Sequence, residues 1–427
     1  MTLRKKEYKN RLVDKKIARY LNIFGAISIK GPKWCGKTWT SLNHANSVTY
    51  MTEKNLRDLA NVNPKYIFTG ESPQLIDEWQ LSPSIWDAVR HECDEDHNKG
   101  KFILTGSTTL TKEEKEEHIF HSGTGRIANI QMFPMSLYES EDSTGDVSIL
   151  DMLEGNVKLK GLPKTELFKI ARLIIRGGWP QNLTVDEKDV GIIPKSYIDS
   201  LINIDINERR DKKRDSNKMK MLLRSLARNE TSLANVSTII KDIEEYETSE
   251  DLIASRTTVY DYLSVLESLF LINNQPAFDI NYRSSKRVGK SVKRHFVDPS
   301  LACAILNLNE EKLMNDFETF GLMFEALVER DLKIYMDYLE GNLFHFRDNN
   351  SGDEVDAILE FRDGAYGAVE IKLTENGISD AKQSLSKFYT NVEKKPVFMC
   401  IITGTHRAIE KDEKTGIYIL PITALKP

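Results

Sequence analysis

A short segment near the start of the chain restricts the fold more strongly than any other feature. It reads Gly31, Pro32, Lys33, Trp34, Cys35, Gly36, Lys37 and Thr38, a complete match to GxxxxGK[ST], and the β-like stretch AISI precedes it. In this pattern the glycines let backbone N–H groups wrap phosphates, Lys37 neutralises phosphate charge, and the Thr38 hydroxyl coordinates Mg²⁺. The next helix points its positive N-terminus at the phosphates. The segment therefore predicts a P-loop that binds ATP with Mg²⁺, unless it is a chance match in an ordinary loop.

Two adjacent acidic residues end the apolar stretch QLIDE. Asp77 suits the Mg²⁺ shell of a P-loop site. An acid beside it can orient and deprotonate the attacking water, so Glu78 is the candidate general base for hydrolysis. Such pairs at strand ends are often only solvated, but the preceding P-loop favours the functional interpretation.

Two further positions are candidates for contacts with the nucleotide. The stretch FILTGS brings Thr105 and Ser107 to a strand end, where either hydroxyl can sense the γ-phosphate; we choose Ser107, with an ordinary turn residue as the alternative. Arg126 follows two glycines in SGTGR. An arginine there can neutralise transition-state charge, either in its own subunit or across an interface, or it forms only a surface ion pair.

Residues 1–140 are predicted to form one domain of alternating strands and helices. Its short apolar segments are AISI, SVTY, QLIDE, KFILTGS and IANIQM. That alternation predicts a parallel sheet covered by helices. The acidic stretch from Ser140 to Leu159 lacks a sustained period and is expected to lead out of this domain.

A mainly helical region is predicted over residues 160–300. Apolar residues recur at helical spacing on two faces: Leu222, Leu223, Leu226, Val259, Leu263, Leu266 and Phe270. A hairpin from Tyr282 to Phe296 would complete a winged helix-turn-helix, and a plain helical connector is the alternative. The basic stretch from Arg209 to Arg228 is either a phosphate-binding patch or a solvated helix face, which charge runs more commonly are.

Residues 310–427 are predicted to form a small α/β domain with a cluster of carboxylates. One strand-like segment carries Asp356, and the next carries Glu370 and Lys372, which alternation places on the same face. Asp356 and Glu370 can bind Mg²⁺ through hard oxygen ligands while Lys372 stabilises charge or positions water. That arrangement is typical of phosphodiester cleavage. Glu325, on the preceding helix, can add a polar group.

These motifs together resemble a known family. GPKWCGKTWT, LIDEWQ, FILTGS, TGRI with PMSLYE, and GGWP are similar to prokaryotic AAA-superfamily ATPases that carry a C-terminal domain of unknown function. The resemblance covers nearly the whole chain and implies an α/β architecture: an AAA-like P-loop domain, a winged-helix region and a C-terminal domain with a PD-(D/E)XK nuclease fold. It implies ATP binding and leaves the cellular role open. Glu325, Asp356, Glu370 and Lys372 resemble the PD-(D/E)XK pattern residue by residue, with Glu354 as an alternative to Asp356.

Composition limits the function further. The 427 residues exceed what one hydrophobic core usually organises, so two or three domains are expected. A net charge of −5 does not advertise nucleic-acid binding, although a local patch can be hidden in it. Four scattered cysteines fit neither a disulfide framework nor a CxxC zinc site. With no secretory signal and no bilayer-spanning apolar run, we expect a cytoplasmic protein without a membrane partner.

Three functions remain as hypotheses. The leading one is a Mg²⁺-dependent AAA-type ATPase that acts as a nucleotide-driven switch. The second is an ATP-regulated DNA-processing nuclease whose basic central region holds the phosphate backbone, with DNA favoured over RNA. The third is a DNA-binding scaffold that holds ATP without turnover, which the intact Glu78 disfavours. A homo-oligomer is compatible with the resemblance, and the subunit number stays open.

Overall fold

The computed structural model describes residues 3–95, 98–110, 119, 121–202, 216–245, 255–281, 292–348 and 352–427. The chain divides into two compact units. The first comprises Met1–Met135 and Leu266–Leu271, and the second comprises Ser136–Val265 and Ile272–Pro427. Most of the region predicted at 160–300 thus shares the second unit with residues 310–427, whereas Leu266–Leu271 belong to the first unit, whose N-terminal part ends at Met135.

The first unit is built on a five-stranded parallel sheet in the order β2-β3-β4-β1-β5. Its strands are β1 (Ala26–Lys30), β2 (Ser47–Tyr50), β3 (Gln74–Asp77), β4 (Phe102–Gly106) and β5 (Ile127–Gln131). Its helices are α1 (Val13–Leu21), α2 (Lys37–His44), α3 (Lys54–Val62) and α4 (Ile85–Glu95). All five segments predicted as strands form this sheet.

Both faces of the first sheet are covered. Ile27 and Ile29 of β1 pack in one apolar cluster with Ile17 of α1, whereas Ala26 packs in another with Trp86 of α4. Strands buried on both faces explain why the segments read as continuous apolar runs. Because the strands are parallel, their carboxyl ends share one edge, which is where α/β sheets bind ligands.

The second unit contains a seven-stranded mixed sheet in the order β10-β11-β12-β13-β15-β14-β7. Its strands, and those of two short pairs, are β6 (Val147–Ser148), β7 (Lys160–Gly161), β8 (Ile272–Gln275), β9 (Lys293–Phe296), β10 (Asn342–Arg347), β11 (Glu354–Glu360), β12 (Tyr366–Lys372), β13 (Phe398–Thr403), β14 (Ala408–Lys411), β15 (Tyr418–Pro421) and β16 (Leu425–Lys426). β6 pairs with β16, so the stretch predicted as an exit from the first domain is built into the second unit.

The remaining helices are α5 (Ile149–Glu154), α6 (Leu167–Arg176), α7 (Ile192–Ser200), α8 (Ser216–Arg228), α9 (Val236–Glu245), α10 (Arg256–Ser268), α11 (Pro299–Ile305), α12 (Glu310–Asn315), α13 (Phe317–Tyr338) and α14 (Ile378–Asn391). Asp316 caps α13 by accepting from the Thr319 N–H. This helix carries Glu325, which the sequence analysis placed on a helix before the acidic strands.

The helical region differs from its prediction in one respect. Strand β9 pairs antiparallel with β8, so the hairpin runs over 272–275 and 293–296 rather than over Tyr282–Phe296. Residues 282–291 lie outside the described residues, as do residues 209–215 at the start of the basic stretch. In the described part of that run, Lys220 and Arg224 are exposed on α8. Exposure of these side chains fits both a solvated helix face and a phosphate-binding patch.

The GGWP segment, Gly177 to Pro180, packs against a buried carboxylate. Gly177 has a φ of +66°, and a Cβ there would collide with Asp298 and Ser300. The Gly178 N–H donates to Asp298 Oδ2 at 2.9 Å, and the fully buried Trp179 donates to Ser300 Oγ at 2.9 Å. Without side chains, the two glycines let the backbone approach the buried carboxylate.

A buried arginine joins this segment to two others. Arg330 Nη1 donates to Asp298 Oδ2 at 2.9 Å, and its Nη2 donates to Asp331 Oδ1 at 2.7 Å. Asp331 Oδ2 accepts from the Leu137 N–H at 2.9 Å. Leu137, from the part of PMSLYE that belongs to the second unit, is therefore held by a charge-assisted hydrogen bond.

The four cysteines are buried and free, so none forms a disulfide. Within the described ranges, the longest and most apolar helices still fall short of what a membrane-spanning segment requires.

Candidate functional site

The predicted phosphate-binding loop connects the end of β1 to the start of α2. Gly36 adopts a φ of 100°, which favours glycine, and a Cβ on Gly31 would collide with the carbonyl oxygen of Met132. Lys37 is buried, and its Nζ donates to the carbonyl oxygens of Gly31 at 3.0 Å and Pro32 at 2.8 Å. The ammonium group thus lies over the loop, where a phosphate can replace the two carbonyl acceptors.

Asp77 lies beside the P-loop hydroxyl because β3 ends at the same sheet edge. Its Oδ1 accepts from Thr38 Oγ1 at 2.9 Å and from Thr105 Oγ1 at 2.6 Å. Burial raises the pKa of Asp77, while the two hydroxyl donors oppose that rise. A carboxylate and a hydroxyl in direct contact fit a Mg²⁺ that keeps most of its ligands as water and phosphate oxygens. Thr38 and Asp77 would hold this Mg²⁺, which shields phosphate charge.

Glu78 adopts a left-handed conformation with a φ of 57° at the end of β3. Its backbone N–H donates to Thr105 Oγ1 at 3.1 Å, and its Oε2 accepts from Ser107 Oγ at 3.0 Å and from Gln80 Nε2. Non-glycine residues in this region are uncommon and cluster at functional sites. The carboxylate of the candidate base is therefore held in one orientation by two side chains.

The two hydroxyl groups proposed as γ-phosphate sensors, those of Thr105 and Ser107, have different partners in the structure. Ser107, chosen from the sequence, contacts the Glu78 carboxylate, whereas Thr105 orients Asp77 and the Glu78 backbone. The sequence analysis did not identify Gln80 as a partner of Glu78, although its position two residues later in LIDEWQ could have indicated such a contact.

Arg126 does not share this edge. In the β1–β5 register Ala26 pairs with Ile127, and Lys30, which leads into the P-loop, pairs with Gln131. Arg126 therefore lies at the amino end of β5, about 15 Å along the strand direction from the loop. It is half-exposed, and its Nε donates to Asp94 at 2.6 Å. This position is incompatible with the alternative in which Arg126 serves its own nucleotide; a role across an interface and a surface ion pair remain.

A buried arginine that sequence reasoning missed supports the loop. Arg11 precedes α1, and its guanidinium donates to the carbonyl oxygens of Cys35 at 2.8 Å and Phe133 at 2.8 Å. Nearby, Tyr8 and the Arg11 backbone N–H both donate to Asp14. No local motif marks Arg11, because its partners are far away in sequence.

The acidic residues of the second unit also come together. Asp356 on β11 and Glu370 on β12 both lie near Lys372, whose Nζ is 2.9 Å from Glu370 Oε2 and 3.6 Å from Asp356 Oδ2. Asp356 Oδ2 accepts from the Ile371 N–H at 2.8 Å, and Glu370 Oε1 accepts from Ser384 Oγ at 3.1 Å. The predicted face of β12 is therefore correct. Glu354, the alternative to Asp356, is instead exposed near Arg347.

The electrostatics of this acidic site follow from burial. Burial and the Asp356 charge raise the pKa of Glu370 to about 8. Burial alone would lower the pKa of Lys372, but Asp356 and Glu370 raise it above its ordinary value. Glu325 of α13 senses the charges of Asp356 and Lys372, so all four predicted residues belong to one cluster.

The acidic cluster offers a divalent cation two carboxylates, those of Asp356 and Glu370. Among the described residues, no three histidine, cysteine or acidic side chains are arranged to hold a metal ion. The Lys372 ammonium shows, however, that Asp356 and Glu370 can share one cation. Mg²⁺ is often bound by one or two carboxylates with several retained waters, so these two residues would hold it and it would neutralise phosphate charge.

Comparison with known proteins bears on the first site. Residues 24–141 match a family model described as an AAA domain, while residues 167–312 and 320–425 match domains of unknown function, DUF8612 and DUF4143. No curated protein matches the chain. The match identifies the N-terminal region as an AAA-type P-loop domain, which supports ATP binding.

Several solved structures are similar at low identity. A Walker-type ATPase of Pyrococcus abyssi is 15% identical, with a TM-score of 0.45, over 71% of this chain and 98% of that one. The Aeropyrum pernix ORC2 protein is 12% identical, with a TM-score of 0.32, over 74% and 98%. The Thermotoga maritima RuvB branch-migration motor is 15% identical, with a TM-score of 0.28, over 65% and 94%.

Proposed function

We propose that the protein is a Mg²⁺-dependent AAA-type ATPase that works as a nucleotide-driven switch. The observation that carries this proposal is the arrangement around Glu78, whose carboxylate is oriented beside the Thr38–Asp77 pair. A protein that only held ATP would not need a strained, hydrogen-bonded acid at this position. The AAA-domain match supports the same assignment.

Each side chain has a defined task in this proposal. Lys37 exchanges its bonds to the loop carbonyls for bonds to phosphate oxygens. Glu78 orients the attacking water and accepts its proton. Ser107 and Gln80 hold the Glu78 carboxylate, so turnover requires that at least one of its oxygens face the water.

The test compares phosphate release by wild type, Lys37→Ala and Glu78→Gln, with nucleotide binding recorded in parallel. Glu78→Gln is expected to bind ATP and to lose turnover by a factor of about 10² or more, the usual contribution of general-base catalysis. Glu71→Gln, an exposed glutamate of the same unit, is the matched control. Wild-type turnover by Glu78→Gln would exclude its role as base, and binding without turnover by wild type would favour the scaffold.

The switch requires that ATP and ADP favour different conformations. Hydrogen exchange of residues 136–139 can be compared with a non-hydrolysable ATP analogue and with ADP bound. Different protection is expected. Identical protection throughout the described chain would contradict the switch while leaving the ATPase intact.

Arg126 is proposed to act on the nucleotide of a neighbouring copy. This proposal rests on its exposure at the sheet edge opposite the P-loop. Arg126→Ala is expected to bind ATP and lose turnover, as is typical for arginines that stabilise transition-state charge. Mixing it with Lys37→Ala, which retains Arg126, should restore part of the activity. No restoration would point to a surface ion pair.

A second candidate is an ATP-regulated DNA nuclease, favoured by the convergence of Asp356, Glu370 and Lys372. A PD-(D/E)XK-like second unit would cut, and helices α8, α9 and α10 with the β8–β9 hairpin would hold DNA as a winged helix. The test is nicking of supercoiled plasmid with Mg²⁺ or Mn²⁺ by wild type, Lys372→Ala and, as control, Lys411→Ala, an exposed lysine of the same sheet. Nicking that survives Lys372→Ala would assign the cleavage elsewhere.

A further inference from the structure

A second lysine contacts the acidic site from a different part of the chain. Lys293 on β9 is only 4% exposed, and its Nζ donates to Glu325 Oε1 and, at 2.8 Å, to Glu329 Oε1. Both glutamates lie on α13, four positions apart, so they present their carboxylates on one helix face. Lys293 lies in the region matched by DUF8612, whereas the acidic residues lie in the region matched by DUF4143.

The surroundings of Lys293 form a buried ionic chain. Alternation on β9 puts His295 on the same face, with its Nε2 3.3 Å from Glu329 Oε2. Burial, reinforced by the Lys293 charge, lowers the pKa of His295 well below its ordinary value, so His295 is neutral at neutral pH. Lys293 is then the cationic donor that Glu325 and Glu329 share.

Keeping such a lysine charged requires its two partners. Burial alone would lower the pKa of Lys293, but Glu329 and Glu325 raise it above its ordinary value. Buried ion pairs are poor stabilisers compared with apolar packing, because desolvation offsets much of the attraction. A buried lysine at the border of a candidate site therefore calls for a role in that site.

The charge of the whole cluster supports such a role. Glu325, Glu329, Asp356 and Glu370 face two ammonium groups, those of Lys293 and Lys372. The carboxyl groups therefore outnumber the ammonium groups, and the buried Glu230, 3.4 Å from His295, adds a fifth, so the cluster has carboxyl groups to share with a divalent cation. Without Lys293 the side chain of Glu325 would lose the only hydrogen-bond donor described for it.

We propose that Lys293 is a positioning residue of the acidic site: it holds the Glu325 carboxylate beside Asp356 and Lys372. The site is then composite, since the strand that supplies Lys293 lies outside residues 320–425. This inference rests on the second candidate function only in assuming that Asp356 and Glu370 bind a divalent cation.

The experiment measures Mn²⁺ affinity of the full-length, nucleotide-free protein by electron paramagnetic resonance. The acidic site is identified as the Mn²⁺-binding site that is lost in the Glu370→Gln variant. Lys293→Met and Glu325→Gln are each expected to weaken it about tenfold, as outer-shell changes at metal sites commonly do, and Lys293→Arg to restore most of the affinity. Lys411→Met is the matched control. Rescue by arginine separates positioning from a general packing role.

A second variant keeps the inference testable if Lys293→Met does not fold. Lys293→Met with Glu329→Gln removes the ammonium group together with one of its two carboxyl partners, while Glu325 still loses its donor. Circular dichroism checks folding. Wild-type Mn²⁺ affinity in either folded variant overturns the inference, as does the absence of any Mn²⁺ site sensitive to Glu370→Gln.

Plasmid nicking separates this inference from the nuclease itself. If wild type binds Mn²⁺ without cutting DNA, the nuclease proposal fails while the affinities of the Lys293 variants still support the inference. If wild type cuts DNA and Lys293→Met binds Mn²⁺ and cuts equally well, the nuclease stands and the role of Lys293 is refuted.

Discussion

Thr105→Val tests the hydrogen bonds that align the Asp77–Glu78 pair. The Thr105 side chain is fully buried on β4, and its Oγ1 donates to Asp77 Oδ1 at 2.6 Å while accepting from the Glu78 N–H at 3.1 Å. Valine keeps the shape and removes only the hydroxyl. The substitution therefore removes one charge-assisted bond and leaves a backbone N–H without its acceptor.

The magnitude follows from these two contacts. A hydrogen bond to a charged group contributes about 1.5–3 kcal/mol, and an unsatisfied buried donor costs about 1–3 kcal/mol. We expect the first unit to lose about 3 kcal/mol of stability. The hydrogen bond from Thr105 also opposes the rise in the pKa of Asp77 caused by burial, so its loss should shift Mg²⁺-dependent turnover to higher pH. Misalignment of Glu78 should lower kcat by about 10- to 100-fold, equivalent to about 1.4–2.7 kcal/mol.

The assay is phosphate release as a function of Mg²⁺ and pH, with binding of a fluorescent ATP analogue measured separately. Affinity should change little, because Lys37 and the loop backbone make the phosphate contacts. Thr49→Val is the control: its hydroxyl is also buried and accepts from Gln74 at 2.9 Å, but away from the site. The proposed alignment of Glu78 by Thr105 is wrong if the kcat of Thr105→Val stays within about twofold of wild type, or if its kcat is lowered no more than that of Thr49→Val.

Two further predictions concern the second unit. Arg330→Met leaves Asp298 and Asp331 buried without their cation, so it should destabilise this unit by about 3–5 kcal/mol. The stability is measured by urea titration followed by hydrogen exchange of α13, with Arg362→Met as the control because the Arg362 side chain is 85% exposed. Equal stabilities of the two variants would show that the buried network is dispensable. Burial raises the pKa of Glu329 from 4.5 to about 8, so the folded state keeps a proton that the unfolded state releases between these values. In metal-free buffer the stability of this unit should therefore fall as pH rises from about 4.5 to 8, and Glu329→Gln should reduce that slope; an unchanged slope would place the titration elsewhere.

The P-loop site could be predicted from sequence because its information is local. Each group of GxxxxGK[ST] sits at a fixed offset, and the strands around it read as continuous apolar runs. Ser107 was chosen over Thr105, but the sequence could not assign their partners, because these depend on which side of β4 faces Asp77 and which faces Glu78. The position of Arg126 relative to the loop required the β1–β5 register, which no local pattern contains.

In the second unit, several features depend on residues that are distant in sequence, so they could not be predicted from local patterns. Alternation placed Glu370 and Lys372 correctly, since that rule acts within one strand. The hairpin was misplaced because β8 lacks a strong strand pattern and its partner lies far along the chain. Lys293 and Arg330 read as ordinary charged residues in sequence; only tertiary packing reveals that both are buried among acids.

The two sites also differ in what a ligand must displace. At the P-loop, Lys37 exchanges bonds to neutral carbonyl oxygens for bonds to charged phosphates, a change that favours binding. At the acidic site, a cation must compete with Lys372, whose ammonium already lies 2.9 Å from Glu370. Its affinity for Mg²⁺ is lowered by that competition, so the geometry supports nucleotide turnover ahead of cleavage. Lys372→Met should therefore raise Mn²⁺ affinity at Asp356 and Glu370, and weaker binding would show that Lys372 assembles the site rather than occupying it.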